Sequence, residues 1–163
     1  MEVNLKTIKH IIGLGNPELR YEDTYHNVGH LFIDYVQQFE DFKSKAIKSE
    51  SYMNESGKFV VKTIKGSAHP EELLIVQDDS DIEIGKYKFT APGHGSAGHH
   101  GIESIQQQLK SKKFWRLRIG IRPKQTEGET RIKAEEFVLK KISPADQKLL
   151  EKVFEEAKIE LTK

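Results

Sequence analysis

The chain has 163 residues, 36% of them apolar and 31% charged, enough for one domain with a buried core and too short for two. Lysine and arginine total 26 against 25 acidic residues, a net charge of +1, so bulk charge marks out no nucleic-acid or membrane partner. There is no cysteine, which excludes disulfides, thiolate metal sites and a cysteine nucleophile. No apolar run is long enough for a signal peptide or a membrane span, so a soluble, cytoplasmic protein is expected.

In chain order, residues 10–14 read as a short buried strand entering the Gly15-Asn16-Pro17 turn. Asp23 or Thr24 is suited to cap the helix that follows, whose apolar face is Val28, Leu31, Phe32, Tyr35, Val36 and Phe39. Residues 43–51 are polar and read as a linker. Residues 54–64 carry Phe59, Val60, Val61 and Ile64; their β-branched content favours a strand and their spacing allows a helix. The continuous run Leu73-Leu74-Ile75-Val76-Gln77 marks a strand buried on both faces, and it ends in Asp78-Asp79-Ser80-Asp81. Residues 86–89 alternate like a half-exposed strand. Residues 93–101 form a glycine-rich loop before a helix marked by Ile102, Ile105 and Leu109. Trp115, Leu117, Ile119 and Ile121 alternate with Arg116, Arg118 and Arg122, which predicts a strand with a basic outer face. Residues 137–139 read as a short strand or extended segment. Ser143-Pro144 opens a last helix that turns Leu149, Leu150, Val153, Phe154 and Ala157 inward. Alternating strands and helices predict an α/β fold: a single domain over residues 1–163 with a twisted, mostly parallel (mixed) sheet and helices on both faces.

Polar residues fall where the strands end and the helices begin: Asn16, His26, Asn54 and Asp78. A histidine with an orienting carboxylate makes a general base, because the carboxylate takes the proton on one ring nitrogen and leaves the other to accept a proton from water. The positive end of a helix dipole favours the neutral imidazole and Asp78 the charged one. Asparagine amides at Asn16 and, paired with it, Asn54 can hold a carbonyl or a developing oxyanion. Gly-x-Ser-x-Gly is absent, so attack by an activated water is the simpler scheme. His94, His99 and His100 have no carboxylate or cysteine at ligand spacing, so no metal and no cofactor is expected. The Gly13-Leu14-Gly15 pair lacks the third glycine of a dinucleotide fingerprint, position 18 being Glu18. From residue 104 to 126 there is no acidic residue, while Lys110, Lys112, Lys113, Arg116, Arg118, Arg122 and Lys124 are present. That one-signed block is a candidate phosphate-binding patch.

The stretch GLGNPELRYEDTYHNVG resembles the signature of the bacterial-type peptidyl-tRNA hydrolase family, Gly-Leu-(Gly/Ala)-Asn-Pro, a Tyr, then Thr-x-His-Asn-x-Gly. Four more blocks match in order: Tyr52-Met53-Asn54-Glu55-Ser56-Gly57-Lys58, Asp78-Asp79-Ser80-Asp81, the loop GHGSAGHHG, and Phe114-Trp115-Arg116-Leu117-Arg118-Ile119-Gly120-Ile121. The resemblance implies hydrolysis of the ester joining a peptide to the 3′ ribose of tRNA, with His26 as general base and Asp78 as its orienting partner. It implies that Asn16 distinguishes peptidyl from aminoacyl groups, that Tyr21, Tyr52 and Asn54 line the cleft, and that residues 54–64 are helical. Lys110, Lys112, Lys113 and Arg116 become candidate tRNA phosphate contacts, and the expected partner is peptidyl-tRNA alone, bound by a monomer with no obligate protein partner. Two departures stand out. His100 occupies the substrate-binding position where the family has Asn, and it cannot present an amide's geometry. Residues 43–51 are too few for the family's paired strands there, and the C-terminus is short. Chloroplast splicing factors that resemble the family serve RNA without hydrolysis, which makes a non-catalytic RNA-binding protein the rival reading.

Overall fold

In the computed structural model, which describes residues 5–65, 69–125 and 127–163, five strands form one sheet in the order β2-β1-β3-β5-β4. The strands are β1 (His10–Gly13), β2 (Lys45–Lys48), β3 (Leu73–Glu83), β4 (Tyr87–Thr90) and β5 (Trp115–Arg122), and the helices are α1 (Val28–Val36), α2 (Ser56–Ile64), α3 (His100–Leu109) and α4 (Pro144–Thr162). All neighbours run parallel except β4, which pairs antiparallel with β5. The first four residues, on which the reading of the N-terminal start falls, and Thr126, at the end of the basic block, lie outside the described residues.

The apolar run at the start of β3 needs two cores, and it has them. Leu74 and Val76 face the side covered by α1 and α4, packing with Phe32, Ile33, Val153 and Phe154. Leu73 and Ile75 face the side covered by α2 and α3, packing with Val60, Ile64, Ile102 and Ile105. Close approach of α1 to the sheet depends on Gly13 and Gly29. A Cβ on Gly13 would sit 2.3 Å from the Gly29 carbonyl oxygen, and one on Gly29 2.5 Å from the Leu14 carbonyl oxygen. No side chain fits between these backbones, so α1 rests directly on β1 and β3 with the histidine turn at its start.

Three sequence expectations are corrected, and one implied by the resemblance holds. Residues 43–51 are not a plain linker: residues 45–48 form β2, an edge strand with exposed lysines at both ends, paired with β1 on one side only. Residues 54–64 are helical, as the resemblance implied and against their β-branched content, with a 3₁₀ turn (Met53–Glu55) running into α2. Residues 137–139 form no strand; a single antiparallel bridge joins Lys141 to Thr24. The arginines of β5 do not form an exposed outer face. Arg116 and Arg122 are 4% and 9% exposed, Arg118 pairs with Asp79 at 2.7 Å, and Arg122 donates to the Ser80 and Ile132 carbonyls.

Among the described residues, no helix is long and apolar enough to cross a membrane. Ser143 caps α4 by accepting from the Asp146 amide at 3.2 Å. Thr24 takes the cap position of the 3₁₀ turn Tyr25–Asn27, but without a side-chain cap bond: its hydroxyl turns back to the Tyr21 carbonyl (2.7 Å).

Candidate active site

The chain leaves β1 for β2 on one side and β3 on the other, so the carboxyl ends of β1 and β3 flank the point where the strand order reverses. Ligands of open α/β sheets bind there, and a cleft of about 570 Å³ opens at that place. The loop after β1 delivers His26, on a 3₁₀ turn (Tyr25–Asn27) just before α1. The end of β3 delivers Asp78, whose alternation with Val76 turns it to the α1 side of the sheet.

His26 Nδ1 lies 2.7 Å from Asp78 Oδ2, and the other carboxylate oxygen is 2.9 Å from Nε2 of His99. Asp78 is 3% exposed. Burial pushes its carboxyl up, but the two imidazoles outweigh that and hold it well below the usual carboxylate range. Burial lowers the pKa of His26, and the charge and hydrogen bond of Asp78 overcome it, so the net shift is upward from 6.5. Against burial, it is Asp78 that sets the direction of the shift.

His99 is the residue that sequence reasoning missed as a member of the site. It caps α3, its Nδ1 accepting from the Ile102 amide at 3.2 Å. A neutral His99 must then carry its proton on Nε2, the nitrogen facing Asp78. By the same logic His26 donates from Nδ1 to the carboxylate, which leaves its Nε2 with the lone pair of a base.

The ligand atoms of His26, Asp78 and His99 lie within 4.8 Å of one another, a spacing that suits a metal ion. The hydrogen bonds do not suit one. To ligate, His99 Nε2 would have to lose its proton to Nδ1, which already accepts from a backbone amide, and the capping bond of α3 would be lost. The donor set fits a hydrogen-bonded His-Asp-His chain better than a metal centre.

Asn16 faces this chain across the cleft. Its backbone is clamped by the buried Asn27 side chain through two bonds of 2.8 Å, one in each direction. Its Oδ1 accepts from the Met53 amide at 3.1 Å, and among the described residues its Nδ2 donor has no partner. Asn54 lines the cleft too, but Asn16 turns its side-chain oxygen to Met53 and not to the Asn54 amide expected as its partner. Tyr52 and His100 also line the cleft. Tyr52 donates to Glu18 (2.5 Å), while the His100 ring is largely exposed with Nδ1 3.4 Å from Glu103. Tyr21 is outside the lining; its ring lies under the Arg20 guanidinium (4.7 Å), which pairs with Glu18. Lys110, Lys112 and Lys113 are exposed beyond the far end of α3, about 15 Å from the cleft for a helix of this length. Arg116 is not with them: it sits beneath the surface on β5.

A base held by a buried carboxylate, with an amide donor opposite, is the equipment of a hydrolase that activates water. Comparison with known proteins narrows the class. The family model for peptidyl-tRNA hydrolase matches residues 10–163, and the chain belongs to that family. The peptidyl-tRNA hydrolase of Hydrogenobaculum sp. is 38% identical over 92% of this chain and 87% of its own length, and that of Aquifex aeolicus 34% identical over 92% and 86%. The crystal structure of peptidyl-tRNA hydrolase from Acinetobacter baumannii superposes with a TM-score of 0.81 at 27% identity, covering 99% of this chain and 90% of the other. A hydrogenase maturation protease from Thermococcus kodakarensis shares the fold alone, with 17% identity and a TM-score of 0.52.

Proposed function

We propose that this chain hydrolyses the ester between a peptide and the 3′ ribose of tRNA, with His26 as general base. His26 Nε2 takes a proton from water as the water oxygen attacks the ester carbonyl. Asp78 stabilises the imidazolium, and the Asn16 amide donates to the developing oxyanion. Collapse of the intermediate expels the ribose oxygen, which takes the proton back from His26. Tyr52, Asn54 and His100 contribute the walls that hold the 3′ end and the peptide backbone, with Tyr21 steadying the Glu18–Tyr52 edge through Arg20. The observation that carries this reading is the 2.7 Å bond from His26 to a carboxylate that has no exposed side. A protein that only binds RNA has no use for a buried charge arranged to hold one imidazole tautomer.

Purified protein should release N-acetyl amino acid from N-acetyl-aminoacyl-tRNA over many turnovers. Binding of the tRNA without release would overturn the reading. Asn16→Ala is expected to lower kcat by about 10²-fold, the loss typical for one oxyanion donor, with KM little changed; single-turnover kinetics would separate the two.

Lys110, Lys112 and Lys113 are the proposed phosphate contacts. The C-terminal end of a helix also favours cations there. Replacing all three with Gln should flatten the dependence of log Kd on log salt by about two to three units of slope and leave kcat at saturating tRNA unchanged. A slope equal to that of the unmodified protein would remove them from the interface.

A further inference from the structure

The turn that carries His26 is held by the segment before α4, through contacts far apart in sequence. The His26 amide donates to the Val138 carbonyl at 2.8 Å and the Tyr25 amide to the Lys140 carbonyl at 3.2 Å, while the Ile142 amide donates back to the Asp23 carbonyl at 2.8 Å. The Lys141 ammonium adds bonds to the Arg20 and Glu22 carbonyls.

One side chain completes this clamp. Ser143 and Asp146 have the spacing of a helix capping box, in which the acidic side chain reaches back to the cap residue's amide. Half of the box is ordinary: Ser143 Oγ accepts from the Asp146 amide. The other half runs through Tyr25. The Ser143 amide donates to the Tyr25 hydroxyl at 3.4 Å, and that hydroxyl donates to Asp146 Oδ2 at 2.5 Å. A phenol from the residue before His26 is thus inserted into the cap of α4. Burial and the Asp146 bond both favour the protonated phenol, raising its pKa above 10. On the other side of His26, the Asn27 side chain is fixed to the Asn16 backbone.

We infer that Tyr25 is a positioning residue for His26, locking the base's turn to the N-terminus of α4 through Asp146 and Ser143 so that Nδ1 stays on Asp78. Its effect passes through the backbone of the turn; the hydroxyl itself touches no substrate. The inference rests on His26 being the base.

Tyr25→Phe removes only the hydroxyl. It is expected to lower kcat about tenfold with KM unchanged, a loss in keeping with a small misplacement of a catalytic group. The titration of His26, followed by its ring-proton resonance, should move down toward 6.5 as the contact with Asp78 loosens. Asp146→Ala should do the same, the double variant should be no worse than either single one, and Asp146→Asn, which keeps an acceptor, should retain most of the rate. Additive losses, or an unshifted His26 titration in Tyr25→Phe, would overturn the inference. Val153→Ala, which loosens α4 within the core, is the control for stability. If it moves the His26 titration as far at equal loss of Tm, the role is only structural and the inference fails. Because the titration needs no turnover, a protein that does not hydrolyse peptidyl-tRNA would refute the proposed reaction and leave this coupling readable on its own.

Discussion

Replacing His26 with alanine is expected to lower kcat/KM for peptidyl-tRNA by about 10²–10⁴-fold, the usual worth of a positioned general base. This corresponds to about 3–5 kcal/mol of transition-state stabilisation. Affinity for uncharged tRNA should be unchanged, because the proposed phosphate contacts lie one helix length away beyond α3. The variant should still fold, since Asp78 retains its bond to His99 and α3 retains its cap. A His26→Ala protein with the rate of the unmodified enzyme would mean that another group activates the water.

Asp78→Asn is expected to be comparably severe, about 10³–10⁴-fold in kcat, by a different route. Asparagine offers one acceptor and one donor where the carboxylate offers two acceptors. If its oxygen serves His99, whose tautomer is fixed by the Ile102 amide, its NH₂ faces His26 Nδ1. That nitrogen must then accept, its proton moves to Nε2, and the base is gone. The pH at which the limb falls should change along with the size of the rate. In the native site Asp78 raises His26 above 6.5, so the rate, which needs neutral His26, should rise with pH through a limb above 6.5. Without the carboxylate charge, burial alone acts, and the limb of the residual activity should fall below 6.5.

Stability follows the same linkage. A raised histidine pKa stabilises the fold fully below 6.5 and ceases to do so as pH rises through the folded value. A depressed carboxyl stabilises above 3.8 and is lost as pH falls through the folded value. Both contributions overlap between 3.8 and 6.5, so the Tm difference between the native protein and Asp78→Asn should be largest there and shrink toward alkaline pH. A difference that does not shrink as pH rises through the His26 titration would refute the assigned charges.

Much of this site was legible because it is built from strand ends. The apolar run before Asp78 could only be a central strand, and a central strand of an α/β sheet delivers its last polar residue to the cleft. The Gly-Leu-Gly-Asn-Pro turn fixed the place of Asn16 in the same way. His99 was not legible as a partner of Asp78, since its role arises from a contact spanning 21 residues and from a cap in which the ring stands where Ser or Asp usually would. Nor was β2: Lys-Ala-Ile-Lys has the composition of a linker and becomes a strand only because β1 offers a free edge. Arg116 misled for the converse reason. Alternation with apolar residues suggests an exposed face, but both neighbours of β5 are in place and the other side of the sheet is covered by α2 and α3. In residues 54–64, β-branched side chains argued for a strand, while packing of Val60 and Ile64 against Ile102 and Ile105 decided for a helix.

The arrangement stands or falls on which nitrogen of His26 is free. Ring ¹⁵N chemical shifts of the free enzyme at a pH above the His26 titration distinguish the tautomers directly. The expected result is a neutral His26 with its proton on Nδ1, shared with Asp78, and an unprotonated Nε2. A proton on Nε2 would leave the site without a base facing the cleft and would contradict the mechanism.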